Sequence, residues 1–332
     1  MAAELYELRN GTITVKLTNF GATITSLLVP DANGDEFLTL FPSRSSSLPH
    51  KGLVFFSDVI TRSWCFCSVL MGFRQARGCG AWFRYRRAVS SGKIGFDKVL
   101  WEVTEYNNNM FPSITFKYQS KDGDEGYPGD LSVTAKYSLP SSTSLKLEME
   151  AVPLNKATPV NLAQHTYWNL AGHNSGNILD HSIQILASHL TPVDKNLIPT
   201  GEIMPVSGTC FDFTTEKKIG SRIHKLQVGY DHNYVLDSGE ERPGLKHAAK
   251  VKDPSGSRVL DLWTDAPGMQ FYTGNYVDGV VGKGGAVYGK HAALCLETQG
   301  FPNAINQPNF PSVVVQPGEK YKHTMLFELS TD

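Results

Sequence analysis

Four short stretches of the chain bring together side chains that can move protons or hold hydroxyl groups. In the stretch 161–172, His165 lies among Gln164, Tyr167, Trp168 and Asn169. An imidazole titrates near neutral pH, so a histidine in a polar and aromatic setting suits a general acid. In Leu294-Cys295-Leu296-Glu297-Thr298-Gln299-Gly300, Glu297 follows two leucines. A carboxylate in apolar company is costly to desolvate unless it is paired or used. Asp231 sits in Gly229-Tyr230-Asp231-His232-Asn233-Tyr234, and Gln270 in Gly268-Met269-Gln270-Phe271-Tyr272. Carboxylates and amides make bidentate hydrogen bonds to hydroxyls, and nearby rings cover the apolar side of a ring-shaped ligand. Each stretch alone also has a plain structural explanation: a satisfied core histidine, an edge ion pair, a turn aspartate, packed aromatics.

These residues need a scaffold, and the patterning points to strands. Thr12 to Leu17, Leu131 to Leu139, Leu145 to Val152 and Thr324 to Leu329 alternate between apolar and polar side chains. Alternation at period two marks strands with one buried and one wet face. Turn residues punctuate them at Asp31-Ala32-Asn33-Gly34, Asp253-Pro254-Ser255-Gly256 and Pro317-Gly318-Glu319. No convincing amphipathic helix stands out. The expectation is an all-β fold, an antiparallel sandwich or barrel-like sheet, built as one domain over 1–332. On the same alternation, the 161–172 stretch reads as a strand with His165, Tyr167 and Asn169 on one face.

Composition narrows the function. The 332 residues carry 31 Lys+Arg and 32 Asp+Glu, a net charge of −1. That balance argues against a nucleic-acid partner or an acidic membrane surface. No run of about 18 apolar residues is present to span a bilayer. The first ten residues include Glu4, Glu7 and Arg9 and lack the apolar core of a signal peptide. Five cysteines at irregular spacing fit reduced thiols, so a cytoplasmic protein is expected. Metal binding has little support. His165, His173, His181 and His189 recur every eight residues, which on extended chain separates neighbours by over about 20 Å. Gly282-Lys283-Gly284-Gly285 lacks the spacing of a phosphate-binding loop.

The four stretches, in this order, resemble the aldose 1-epimerase family. The similarity extends to Asn19-Phe20-Gly21-Ala22, Gly95-Phe96-Asp97-Lys98-Val99-Leu100-Trp101 and Asp124-Glu125-Gly126-Tyr127-Pro128-Gly129-Asp130. The resemblance implies a large antiparallel β-sandwich and interconversion of the anomers of hexoses such as glucose and galactose. It implies Glu297 as general base and His165 as general acid, with Asp231, Gln270 and Tyr167 in the sugar pocket. It implies no cofactor and no metal, a small aldohexose as partner, and a monomer or homodimer. At reference pKa values of about 4.3 and 6.5, a Glu and a His would be poised for this work without an extreme shift. Two other readings compete: a non-catalytic sugar-binding relative, and a relation of the same fold that acts on a phosphorylated sugar.

One segment departs from the family. Between 41 and 93 lie seven of the eleven arginines, three of the five cysteines and nine serines, with no asparagine or glutamate. The family's Gly-Arg-Val-Ala-Asn-Arg and Leu-His-Gly-Gly stretches, which supply sugar contacts, are not found there. Arg62 in Val59-Ile60-Thr61-Arg62 is the residue that stands in for the first family arginine, and Ser90 falls near the family histidine. A segment of similar length and foreign composition reads as sequence translated in another frame or from a misjoined exon. That reading predicts Leu-His-Gly-Gly in a different frame of the gene; noise in both other frames would refute it. The bland alternative is an exposed basic loop.

Overall fold

The computed structural model describes residues 2–30, 36–38, 94–239 and 242–331. The segment 41–93, and Arg62 and Ser90 with it, lies outside the described residues.

The alternating runs become long antiparallel strands. Leu131–Ser141 and Ser144–Pro153 form a hairpin whose Val133, Ala135 and Tyr137 face Ala151, Met149 and Leu147 across the ladder. All six side chains are fully buried, while the residues between them are partly exposed. This is period-two burial of one face. The hairpin sits within a nine-stranded sheet with Tyr321–Ser330, Val259–Thr264, Lys246–Lys252, Ser182–Ile185 and Lys217–Lys218 to one side. Ser113–Ser120 and Glu102–Asn107 extend it on the other. A four-stranded sheet holds Leu5–Arg9, Thr14–Thr18, Thr23–Pro30 and Glu36–Leu38. A five-stranded sheet runs Met204–Pro205, His189–Thr191, Asp231–Val235, Gly268–Tyr272 and Cys295–Gln299. Every strand pairing described is antiparallel, as the all-β reading expects. The one α-helix among the described residues, Gly220–Ile223, is four residues long. No helix there is long and apolar enough to cross a membrane.

Two family motifs meet at the turn between Thr14–Thr18 and Thr23–Pro30. Gly21 has φ +69°, and a Cβ there would lie 2.4 Å from the Asp97 carbonyl oxygen. Only glycine permits this approach. The Gly21 amide donates to the Val99 carbonyl at 2.8 Å, and the Trp101 amide to the Asn19 carbonyl at 2.8 Å. Trp101, fully buried, donates its indole N–H to the Phe96 carbonyl at 2.9 Å. Residues some eighty positions apart are thereby clamped together.

The two large sheets share one continuous core. Tyr234, Met269, Phe271 and Leu296 of the five-stranded sheet belong to the same apolar cluster as Leu147, Met149, Leu262 and Phe327 of the nine-stranded sheet. One polar link crosses this layer. His323 Nδ1 lies 2.9 Å from the Leu162 carbonyl and Nε2 lies 2.8 Å from Thr298 Oγ1. A carbonyl only accepts, so Nδ1 carries the proton and Nε2 accepts from the threonine hydroxyl. Burial holds this imidazole neutral by pushing its pKa down.

Candidate active site

The five-stranded sheet builds the site through its register. Asp231 stands opposite Tyr272, and Tyr272 opposite Cys295; Asn233 stands opposite Gln270, and Gln270 opposite Glu297. Directly opposed residues share a face, and residues two apart on a strand share it too. One face therefore carries Asp231, Asn233, Gln270, Tyr272, Cys295, Glu297 and Gln299. The intervening residues His232, Tyr234, Met269, Phe271 and Leu296 take the other face. His232 accordingly points away from Asp231 and packs on Phe211, ring centroids 4.4 Å apart.

His165 reaches this face by a different route from the one its pattern suggests. The 161–172 stretch is not a regular strand; it is an extended segment held by an isolated bridge between Trp168 and Leu294. The two residues exchange backbone hydrogen bonds of 2.7 and 2.9 Å. All residues from 161 to 170 are buried, so inward and outward positions do not alternate. The segment is sandwiched, and its shape is set by its neighbours on both sides rather than by a ladder. Asn169 leaves the cleft: its amide donates to the Ala292 carbonyl at 3.0 Å and its oxygen accepts from Ser175 Oγ at 3.0 Å. His165 and Tyr167 do share a side, with stacked rings 4.9 Å apart. Tyr272 meets both edge-on at 6.1 and 6.3 Å.

The core of the site is a buried pair. His165 Nε2 lies 3.3 Å from Glu297 Oε1, and the residues are 7% and 2% exposed. Beside them Gln270 Nε2 donates to Asp231 Oδ1 at 2.7 Å. Sequence reading named all four, and Tyr167, as site residues, and the fold brings them together. It also adds two residues. Asn233 and Gln299 extend the polar face, Gln299 Nε2 donating to Asn233 Oδ1 at 3.4 Å. The signal for both was present in the register of the motifs: each lies two residues from a named member.

Desolvation dominates the electrostatics. Burial pushes the His165 pKa down to about 4. Burial pushes the Glu297 carboxyl well above the usual range, and the charge of Asp231 adds to the effect. Asp231 is pushed up to about 6 by burial, against the hydrogen bond from Gln270. The expectation of a pair near its reference values is therefore corrected. Low dielectric favours neutral Glu297 and neutral His165 over the ion pair. Both forms hold one proton, so the shift changes where that proton rests.

Hydrogen-bonding capacity remains open on this face. Asp231 Oδ2, Gln270 Oε1 and Gln299 Oε1 are buried without a hydrogen-bond partner. Buried polar atoms are normally satisfied. A cluster of acceptors lacking donors matches a ligand that brings several hydroxyl groups.

The four histidines at eight-residue spacing do not converge. His173 Nδ1 contacts Tyr288 Oη at 2.8 Å, and His181 Nε2 accepts the Leu170 amide at 3.2 Å. His189 lies 3.1 Å from Ser188 Oγ through Nδ1. Among the described residues, the set whose ligand atoms come within 4.8 Å of one another is His165, Cys295 and Glu297.

Comparison with known proteins agrees with the motifs. Residues 88–328 match the family model described as aldose 1-epimerase. The galactose mutarotase of Sus scrofa is 39% identical over 341 residues, spanning 98% of this chain and 94% of its own. The aldose 1-epimerase of Escherichia coli (strain K12) is 30% identical over 333 residues, spanning 96% and 92%. Among solved structures, the GalM/aldose epimerase homologue from C. elegans has the same fold, with a TM-score of 0.84 over 99% of each chain at 23% identity.

Proposed function

Because the chain belongs to the aldose 1-epimerase family, we propose that it interconverts the α and β anomers of aldohexoses such as glucose and galactose, using His165 and Glu297 as its proton-handling pair. The observation that carries the proposal is the 3.3 Å contact between these two groups on a buried face with open acceptors.

The chemistry fits the pair. The anomeric oxygen and the ring oxygen are both bonded to C1, so an acid and a base a few ångströms apart reach both. The Glu297 carboxylate takes the proton of the anomeric hydroxyl. The O–H electrons form the C1 carbonyl, the C1–O5 bond breaks, and O5 takes a proton from the His165 imidazolium. Rotation about C1–C2 turns the aldehyde over. His165 then removes the O5 proton as O5 attacks C1, and Glu297 returns a proton to the carbonyl oxygen. The pair ends as it began.

This cycle gives the desolvation a role. While the open-chain sugar is bound, Glu297 is protonated and His165 is neutral. That is the form which burial favours. The carboxylate–imidazolium pair that begins the cycle is therefore reached from the neutral pair at a cost, and the ring-opening transfers return that cost. Asp231 and Gln270 hold hydroxyls away from C1 and fix the sugar's orientation, and Tyr167 and Tyr272 wall the pair from water. The proposal includes a cytoplasmic setting, to which the free thiol Cys210 is suited. Arg62 stays in it as a candidate sugar contact.

The test is the optical rotation of freshly dissolved α-D-glucose and α-D-galactose. The expected result is a relaxation faster than the buffer's, lost in Glu297→Gln and in His165→Asn. Full activity in either variant would overturn the assignment. A folded wild-type protein that binds galactose without speeding relaxation would establish the non-catalytic relative instead.

A further inference from the structure

We infer that the buried face holds a site for a borderline-soft divalent cation such as zinc, made by His165, Cys295 and Glu297, and that the ion and the sugar exclude one another. The ligand set is a nitrogen, a sulfur and an oxygen, each from a residue type that binds zinc. Cys295 and Glu297 are two apart on one strand and so project to the same side. His165 approaches across the Trp168–Leu294 bridge, which fixes its segment against that strand.

The spacing suits a tetrahedral ion. With metal–ligand bonds of about 2.0–2.3 Å, ligand atoms around zinc stand roughly 3.3–3.8 Å apart. The His165 to Glu297 separation is already 3.3 Å, and all three ligand atoms fall within 4.8 Å. Asp231, on the same face, adds negative charge that favours a cation. Zinc keeps a fourth position for water in sites with three protein ligands. Binding displaces the proton shared by His165 and Glu297 and the thiol proton of Cys295 into solvent. An ion so placed occupies both lone pairs that the proposed proton transfers need. The metal site rests on ligand geometry; its inhibitory effect rests on the proposed function.

The full chain, kept reduced with a non-thiol reductant, is titrated with cobalt(II) as a spectroscopic stand-in and with zinc(II) in the rotation assay. One equivalent of cobalt gives a near-ultraviolet thiolate-to-cobalt charge-transfer band. The band is absent from Cys295→Ser and is suppressed in the wild type by saturating galactose. Zinc raises the apparent KM, and Cys295→Ser needs about ten-fold more zinc, or beyond, for the same fractional inhibition of its own zinc-free rate. The chain has four other cysteines, so a band unchanged in Cys295→Ser overturns the site, as does no band in the wild type. The galactose competition needs no variant, and indifference of the band to sugar would overturn mutual exclusion. A Cys295-dependent band without inhibition would overturn the inhibitory effect and the proton-transfer roles of His165 and Glu297. A missing band leaves those roles untouched.

Discussion

Across the three strands Asp231–Val235, Gly268–Tyr272 and Cys295–Gln299, the two faces of the five-stranded sheet differ in almost every physical respect. On one, Tyr234, Met269, Phe271 and Leu296 pack into the continuous core, each at most 2% exposed. On the other, Asp231, Gln270, Glu297 and Gln299 are also largely withdrawn from water, yet several of their acceptors have no donor. The first face stabilises the fold by removing apolar surface from water. The second opposes it, since buried polar groups without partners and a carboxyl held above its usual pKa both cost free energy. A sheet that satisfied both faces would be more stable and would have nothing to offer a sugar. Function is concentrated where the alternation has been left incomplete.

Mutations on either face sharpen this contrast. Glu297→Gln keeps the shape of the side chain and removes the base; a rate loss of about 10³-fold is expected, within the range for acid–base groups, with little change in the urea midpoint. Phe271→Ala, one strand over and facing the other way, reverses the pattern. It should destabilise by about 3–5 kcal/mol in urea unfolding, while the kcat of the remaining folded protein changes little. Asp231→Asn should lower kcat/KM by roughly 10–100-fold, through the loss of charge-assisted hydrogen bonds. Gln299→Met should leave the midpoint unchanged or raise it, because it removes an amide with an unpartnered oxygen, and should raise KM. A lower midpoint in Gln299→Met would break the claim that the cleft face is maintained against stability.

The smallest effect is a pH dependence to which buried groups on and around both faces contribute. Burial pushes His165, His181 and His232 down to about 4 and lowers His323 as well. Between about pH 4 and 6.5 the unfolded chain binds these protons and the folded chain does not, so their stability contribution is lost as pH falls through this window. Asp231, raised to about 6, and Glu297, raised further, act in the opposite sense. Four histidines outweigh two carboxyls, so the urea midpoint should drop from pH 7 to pH 5. His232→Gln should flatten that drop, since His232 faces the core side and contributes nothing to the cleft.

Much of the scaffold is legible in the alternation of runs such as Leu131 to Leu139, because each has one face in a single core and the other in water. The site residues are legible as a family resemblance and as unusual polar company. Their register is not. That Asp231 and His232 part to opposite faces follows from period two, but which of them enters the cleft is decided by where the second sheet lies. The 161–172 stretch shows why alternation fails between two layers: buried on both sides, it has no wet face to write a pattern. Cys295 escapes notice for a related reason. A small apolar-seeming residue flanked by leucines reads as core, and only the strand direction puts its sulfur beside a carboxylate. The pKa shifts are likewise a property of the stacked layers and of no local motif.

The clamp between Gly21 and the Phe96–Trp101 turn bears on how this chain tolerates change. It brings residues some eighty positions apart to one point, so the folding polymer must close that circuit. The entropic cost of closing a chain circuit grows only with the logarithm of its length, about 0.6 kcal/mol per doubling. A change in the length of that circuit therefore carries a small entropic cost, with the backbone hydrogen bonds at Asn19, Gly21, Val99 and Trp101 fixing its two ends.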